Sequence, residues 1–228
     1  SSGTRVDGGA ETDGGFDFQL QSGVDQVSLI GGAGADTFFA SDLPDRTDRF
    51  DGGAGYDQLI ITGGSGVFHA AARSLANVEL IILAAPITLE LSDANIAAGA
   101  TLSVDMSGAY GAALKVDDHR EKDGHLVVNG GSGLDNMIGG ALSDTLDGGN
   151  SDDVLAGRGG SDLLTGGSGH DRFVYYQVGD SWRQAPDLIA DLTGGDIIDL
   201  TRVDADVATS GNQSFTLVGA FSHTAGEL

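Results

Sequence analysis

Cysteine is absent from the 228 residues. Disulfides, thiolate zinc sites, cysteine-ligated iron–sulfur clusters and a cysteine nucleophile are all excluded. Basic residues are scarce: 11 Lys and Arg face 34 Asp and Glu, a formal net charge of −23. A nucleic-acid partner is disfavoured, because neutralising phosphate needs basic patches, and an anionic membrane surface is disfavoured for the same reason. No apolar run approaches the ~18 residues of a membrane-spanning helix, so no membrane insertion is expected. The catalytic signatures HExxH and GxSxG do not occur, and no long helix pattern succeeds the glycine runs, as dinucleotide binding would need. Residue 1 is Ser, with no charged n-region and apolar h-region after it. The chain is read as a non-catalytic module, and the protein that carries it could be an enzyme.

What the chain has in abundance is glycine, 38 residues, and Asp at regular intervals. Residues 130–174 are five units of nine: GGSGLDNMI, GGALSDTLD, GGNSDDVLA, GRGGSDLLT and GGSGHDRFV. The sixth place is always Asp: Asp135, Asp144, Asp153, Asp162 and Asp171. The eighth is always apolar: Met137, Leu146, Leu155, Leu164 and Phe173. A flexible linker needs neither column. Glycine-rich sextets form tight turns, because glycine accepts positive φ without steric cost. The last three residues make a short strand with its middle side chain facing one way. Two units then make one coil of eighteen residues. Stacking aligns Asp135, Asp153 and Asp171 on one edge, and Asp144 and Asp162 on the other.

Carboxylates and turn carbonyls converging between stacked turns suit Ca²⁺, which takes about six to eight hard oxygens in a tolerant geometry. Magnesium suits them less, because it demands a near-ideal octahedron. The candidate ligands are the five aspartates with the turn residues Gly130, Gly131, Gly133, Gly139, Gly148, Asn150, Gly157, Gly159, Gly166, Gly167 and Gly169. Asp180, nine residues past Asp171, keeps the register and is expected to close the last turn. Leu142 and Ser151 replace the fourth-place glycine and Arg158 the second, so those turns are expected to bind more weakly. Glycosidase chemistry would also need paired carboxylates, but metal ligation already accounts for these. A halophile's acidic surface is the competing source of the charge; the periodic placement of Asp argues against it.

These repeats resemble the RTX (repeats-in-toxin) calcium-binding units of secreted proteins. The segment 171–228, with DRFVYYQVGDS, PDLIADL, GGDIIDL, FTLVGAF and TAGEL, resembles the segment C-terminal to the roll in serralysin-type metalloproteases and other type I secreted proteins. The resemblance implies an all-β fold: a right-handed parallel β-roll with calcium in the turns, then a small antiparallel cap, truncated here before its secretion signal. It also implies extracellular residence, with the type I secretion machinery and upstream domains of the parent protein as partners. About 4–6 ions are expected, roughly one per pair of stacked turns. Without them, self-repulsion and the ordering cost of glycine should leave the chain largely disordered, so that folding is coupled to metal binding.

The remaining segments are read in the same terms. Residues 1–61 carry a degenerate roll. GGAGADTFF and GGAGYDQLI place Asp36 and Asp57 in the sixth column, with Gly31, Gly34, Gly52 and Gly55 as turn residues. Asp48 and Phe50 are in step without glycines, Asp25 and Val27 fit after a slip, and Asp13 is weaker. One or two ions are expected there; the alternative is solenoid turns without metal. Residues 62–129 lose the repeat and show alternating strands at 78–83, 87–91, 101–104, 113–116 and 126–128. They are read as a metal-free β-solenoid or small sandwich, with single helical turns at 73–77 and 92–96 and a charged loop at 117–124. His69, His119 and His125 are read as surface residues. Residues 130–176 are the regular roll and 177–228 the cap. The biological alternative is a calcium-stiffened segment of a surface-layer protein or adhesin.

Overall fold

The computed structural model describes residues 4–10, 12, 14–20, 26–70 and 74–203. Its strands form three sheets, and every strand–strand pairing is parallel. The longest sheet has nine strands, in spatial order Asp17–Leu20, Thr37–Ala40, Gln58–Ile61, Leu80–Leu83, Thr101–Asp105, His125–Asn129, Thr145–Asn150, Leu163–Ser168 and Leu188–Ile189. A second has seven: Gly66–His69, Ile87–Glu90, Leu114–Asp117, Asn136–Ile138, Val154–Ala156, Arg172–Val174 and Ile197–Asp199. The third has four: Thr4–Asp7, Val27–Gly32, Arg49–Gly53 and Leu75–Ala76. Spatial order tracks chain order, with successive strands going to alternate sheets. This is the path of a β-solenoid, as the nine-residue period predicts.

Register converts the eighth-place column into apolar ladders. In the long sheet Phe38 lies beside Leu59, then Ile81, Val104, Val128, Leu146, Leu164 and Ile189. On the opposite sheet Phe68 lies beside Leu89, then Val116, Met137, Leu155, Phe173 and Ile198. From Phe38 to Leu164 and from Phe68 to Phe173 these side chains are buried. Each contributes roughly 1.5–3 kcal/mol by leaving water. At the N-terminal end Phe18 stacks on Phe38, which meets Phe50 edge-on, with ring centroids 5.3 and 5.7 Å apart.

The middle segment, 74–129, shares the long sheet with the repeats on either side and the seven-stranded sheet with the regular repeats after it, while its Leu75–Ala76 closes the four-stranded sheet of the N-terminal coils. Two expectations change. No helix occurs among the described residues: Leu75–Ala76 is a short strand beside Phe50 and Asp51, and residues 92–96 are a turn. The backbone N–H of Ser92 donates to Asn95 Oδ1 at 2.7 Å. This local side-chain bond offers the backbone an alternative to helix. Past residue 176, Leu188–Ile189 and Ile197–Asp199 continue the parallel sheets, because Ile189 and Ile198 extend the inner ladders. Antiparallel pairing there, among the described residues, is a single bridge between Trp182 and Ala185. Asp13, Asp25 and the matching pieces FTLVGAF and TAGEL lie outside the described residues.

Candidate metal centres

The sixth-column aspartates form a ladder along each edge. On one edge the N–H of Leu114 donates to Asp135 Oδ1 at 2.6 Å, that of Asp135 to Asp153 Oδ1 at 2.7 Å, and that of Asp153 to Asp171 Oδ1 at 2.9 Å. On the other, Leu126 donates to Asp144 Oδ1 and Asp144 to Asp162 Oδ1, both at 2.8 Å. The step from Asp135 to Asp153 is 18 residues. One carboxylate oxygen therefore fastens the preceding coil. All five side chains are buried.

The second oxygen is the chemically active one. Oδ2 of Asp135, Asp153, Asp162 and Asp171 is buried with no hydrogen-bond partner. A carboxylate oxygen so placed costs several kcal/mol unless something neutralises it. Burial, the largest cause, pushes the carboxyl of Asp144 up to about 6, of Asp153 to about 7 and of Asp162 to about 8. Asp135 and Asp171 rise for the same reason. Neighbouring carboxylates add to the rise at Asp153, from Asp135 and Asp171.

The first-place glycines set the cradle around these oxygens. A methyl on Gly148 would sit 2.4 Å from Asp153 Oδ2 and 2.7 Å from the carbonyl oxygen of Gly166, one coil on. Gly130 repeats this with Asp135 Oδ2 at 2.2 Å and Gly148 O at 2.8 Å. Gly139 does so with Asp144 Oδ2 at 2.3 Å and Gly157 O at 2.7 Å. At Gly157 and Gly166 a methyl would lie 2.1 and 2.3 Å from Oδ2 of Asp162 and Asp171. Carboxylate and carbonyl oxygens thus face one small space that any side chain would fill. The donor set is all oxygen and anionic, which fits a hard divalent cation of calcium's coordination habits.

Other turn residues hold the stacking. The second-place glycines Gly131, Gly149 and Gly167 all have φ between +95° and +98°. A methyl on Gly167 would meet Gly149 O at 1.9 Å. Gly133 and Gly169 likewise abut the carbonyls of Ala112 and Ser151. Asn150 and Gly159 lie toward the surface: Asn150 Oδ1 accepts from Ser168 Oγ at 2.9 Å, and Gly159 N–H donates to Gly140 O at 3.2 Å.

At the N-terminal end the same ladder recurs. The N–H of Phe16 donates to Asp36 Oδ1 and that of Asp36 to Asp57 Oδ1, both at 2.7 Å, over a step of 21 residues for the second. Asp57 Oδ2 is buried without a partner, whereas Asp36 Oδ2 accepts the N–H of Gly32 at 2.9 Å. A methyl on Gly31 or Gly52 would strike Oδ2 of Asp36 or Asp57 at 2.1 and 2.3 Å. Gly34 and Gly55 abut the carbonyls of Gly14 and Gly34, each at 2.1 Å.

Asp180 holds no rung of the ladder, although it stays near Asp162, whose carboxyl its charge helps to raise. Its Oδ2 accepts N–H groups within its own turn, from Tyr176 at 2.7 Å and Gln177 at 3.3 Å, while Oδ1 is buried and bare. The N–H of Asp162 instead meets Asp187 Oδ1 at 3.0 Å, and that of Asp171 meets Asp196 Oδ1 at 3.0 Å, each 25 residues on. The loop 176–186 inserts extra residues and moves the column. Sequence spacing also missed Glu79, whose Oε2 accepts the N–H of Asp57 at 2.7 Å. In each case the strand register carries the signal, and a fixed period does not. The histidines stand apart: His69 pairs with Glu90 at 2.5 Å, His119 contacts Asp117, and His125 Nδ1 meets Ser143 O at 2.7 Å.

A parallel β-solenoid with buried, half-bonded carboxylates stacked at its turns has the architecture of a β-roll repeat module. Residues 20–228 match the family described as peptidase M10 serralysin C terminal, and the chain belongs to that family. A comparison with curated proteins finds no match.

Proposed function

We propose that this chain is a calcium-binding module that folds when the ion binds and supports the folding, export and stability of a larger extracellular protein. The observation that carries this reading is the set of bare, buried Oδ2 atoms of Asp135, Asp153, Asp162 and Asp171, each beside a glycine with no room for a side chain. Serralysin C-terminal regions are non-catalytic repeat segments of secreted proteins, which supports an accessory role and an extracellular setting. The ions are supplied where calcium is plentiful, and extracellular sites are commonly tuned to roughly 10⁻⁴–10⁻³ M. Where calcium is scarce the crowded carboxylates oppose the fold, so the chain stays extended enough for the type I secretion machinery.

Circular dichroism of the full chain in chelator, then with added calcium or magnesium, tests the reading. Calcium should convert a largely disordered spectrum to a β spectrum, with magnesium far less effective. A β spectrum indifferent to chelator at pH 8 would overturn it.

A further inference from the structure

The turn 117–124 ends the middle segment and contains no paired glycine. Asp118 is 0% exposed, and neither of its carboxylate oxygens has a hydrogen-bond partner. Glu121 is 1% exposed. Its Oε1 accepts the N–H groups of Lys122, Asp123 and Gly124 at 3.0, 3.1 and 2.9 Å, while Oε2 is buried and bare. Three unpartnered carboxyl oxygens therefore lie on two side chains of one turn. Among the described residues no ion pair involves either side chain, and the ammonium of Lys122 goes to Asp93 at 2.7 Å.

This turn occupies the position one coil before a regular one. The N–H of Asp118 donates to Ile138 O at 2.9 Å, and the N–H of Leu126 donates to Asp144 Oδ1 at 2.8 Å. A methyl on Gly140 would sit 3.1 Å from Glu121 Cβ, so the turn opening at Gly139 packs on the Glu121 side chain. Asp144 adds its negative charge to those of Glu121 and Asp117 around Asp118. Carboxylates gathered this closely and out of water need a counter-charge. The donors are oxygen throughout, as a hard cation prefers.

We propose that Asp118 and Glu121, beside Asp144, hold an additional divalent cation of the calcium type at a turn that lacks the glycine repeat. It rests on the calcium-binding reading above and places one more ion in a segment whose sequence reads as metal-free. The cation would anchor the first regular coil onto the irregular middle. A proton shared by the two carboxyls is the competing way to relieve the charge.

The test counts ions on the full chain by equilibrium dialysis against calcium at pH 8. Wild type should hold one more ion than Asp118→Asn/Glu121→Gln, and an unchanged count would overturn the proposal. As a check that needs no variant, crystals of the wild-type chain grown with terbium should show an anomalous peak between Asp118 and Glu121. Peaks at the regular turns with none there would overturn it as well. Absence of any calcium uptake by wild type would instead strike at the calcium reading itself.

Discussion

The regular roll, 130–174, and the N-terminal coils, 27–61, share one ladder but satisfy it differently. In both, an N–H of each turn donates to an Asp Oδ1 one coil on, at 2.7 Å for Asp135 to Asp153 and for Asp36 to Asp57. The contrast lies in the other oxygen. Asp36 Oδ2 takes the N–H of Gly32, and Asp48 Oδ2 takes that of Asp45 at 2.9 Å while its Oδ1 takes that of Val27. Four of the five roll aspartates, Asp135, Asp153, Asp162 and Asp171, leave Oδ2 bare, whereas Asp144 takes the N–H of Gly140 there at 2.7 Å; in the N-terminal coils Asp57 alone of Asp36, Asp48 and Asp57 leaves Oδ2 bare. An aspartate whose two oxygens both receive backbone N–H groups is a complete structural device. One with a bare buried oxygen is half a device, and on the proposed calcium reading a cation would supply the rest. The N-terminal coils also have the Phe18, Phe38 and Phe50 cluster to hold them. They should therefore depend less on calcium.

The sharpest way to break this comparison is to withdraw the ion gradually. Hydrogen exchange at pH 8 with rising chelator should expose amides of 132–172 first, while 27–61 keeps protection to higher chelator. Simultaneous loss, or the reverse order, would mean that the bare oxygens do not mark cation dependence. Acidification gives the next largest effect. Unfolded Asp titrates near 4, whereas Asp144, Asp153 and Asp162 are pushed up to about 6, 7 and 8 by burial. Between those values the cation-free fold holds protons that the unfolded chain has released, so its stability falls as pH rises through that window. In calcium-free buffer, β structure in the regular roll should be present near pH 4–5 and lost towards pH 8. Calcium affinity should run the other way. A roll equally ordered at both pH values without calcium would contradict the sign.

Paired substitutions sharpen the comparison further. Asp153→Asn in the roll should lower the number of bound ions and cost about 2.7 kcal/mol in calcium a hundredfold above Kd, the contribution of one site. Asp48→Asn should cost about 1–3 kcal/mol, by leaving the N–H of Asp45 facing an amide, and should leave the ion count unchanged. Dialysis with denaturant melts in saturating calcium separates the two. Equal ion counts in the two variants would end the distinction.

The solenoid and both edges of the regular roll were legible because period nine survives there without interruption. The strands of 74–129 were also legible, through their alternation, although not their continuity with the same sheets. What spacing could not carry was the ladder beyond its perfect stretch. Glu79, Asp187 and Asp196 each hold a rung after steps of 22 and 25 residues, because loops inserted at the edges lengthen the coil without shifting strand register. Asp180 keeps the period and loses the rung for the same reason. The division of labour within each carboxylate was invisible too, since residue type does not say which oxygen meets an N–H. Asp118 and Glu121 read as a charged loop because nothing in their spacing announces burial.

The smallest effect concerns two residues standing where the repeat places glycine. Ser151, at a fourth place, has φ +83°, and Arg158, at a second place, has φ +75°. The backbone keeps the left-handed bend that Gly169 and Gly167 make without cost, and a Cβ there is disfavoured by roughly 1–2 kcal/mol. Glycine relieves that strain but adds freedom to the unfolded chain, which returns part of the gain. Ser151→Gly should therefore stabilise the calcium-loaded roll by about 0.5–1 kcal/mol. Arg158 differs, because its guanidinium lies 4.9 Å from the centre of the Tyr176 ring, a contact worth about 0.5–1 kcal/mol at an exposed site. Arg158→Gly gains the relief and loses that contact, so its net change should be close to zero. Thermal melts in saturating calcium should rank Ser151→Gly above wild type and Arg158→Gly beside it. A destabilised Ser151→Gly would mean that the serine hydroxyl, which reaches Ser132 O at 3.3 Å, outweighs the backbone strain at this turn.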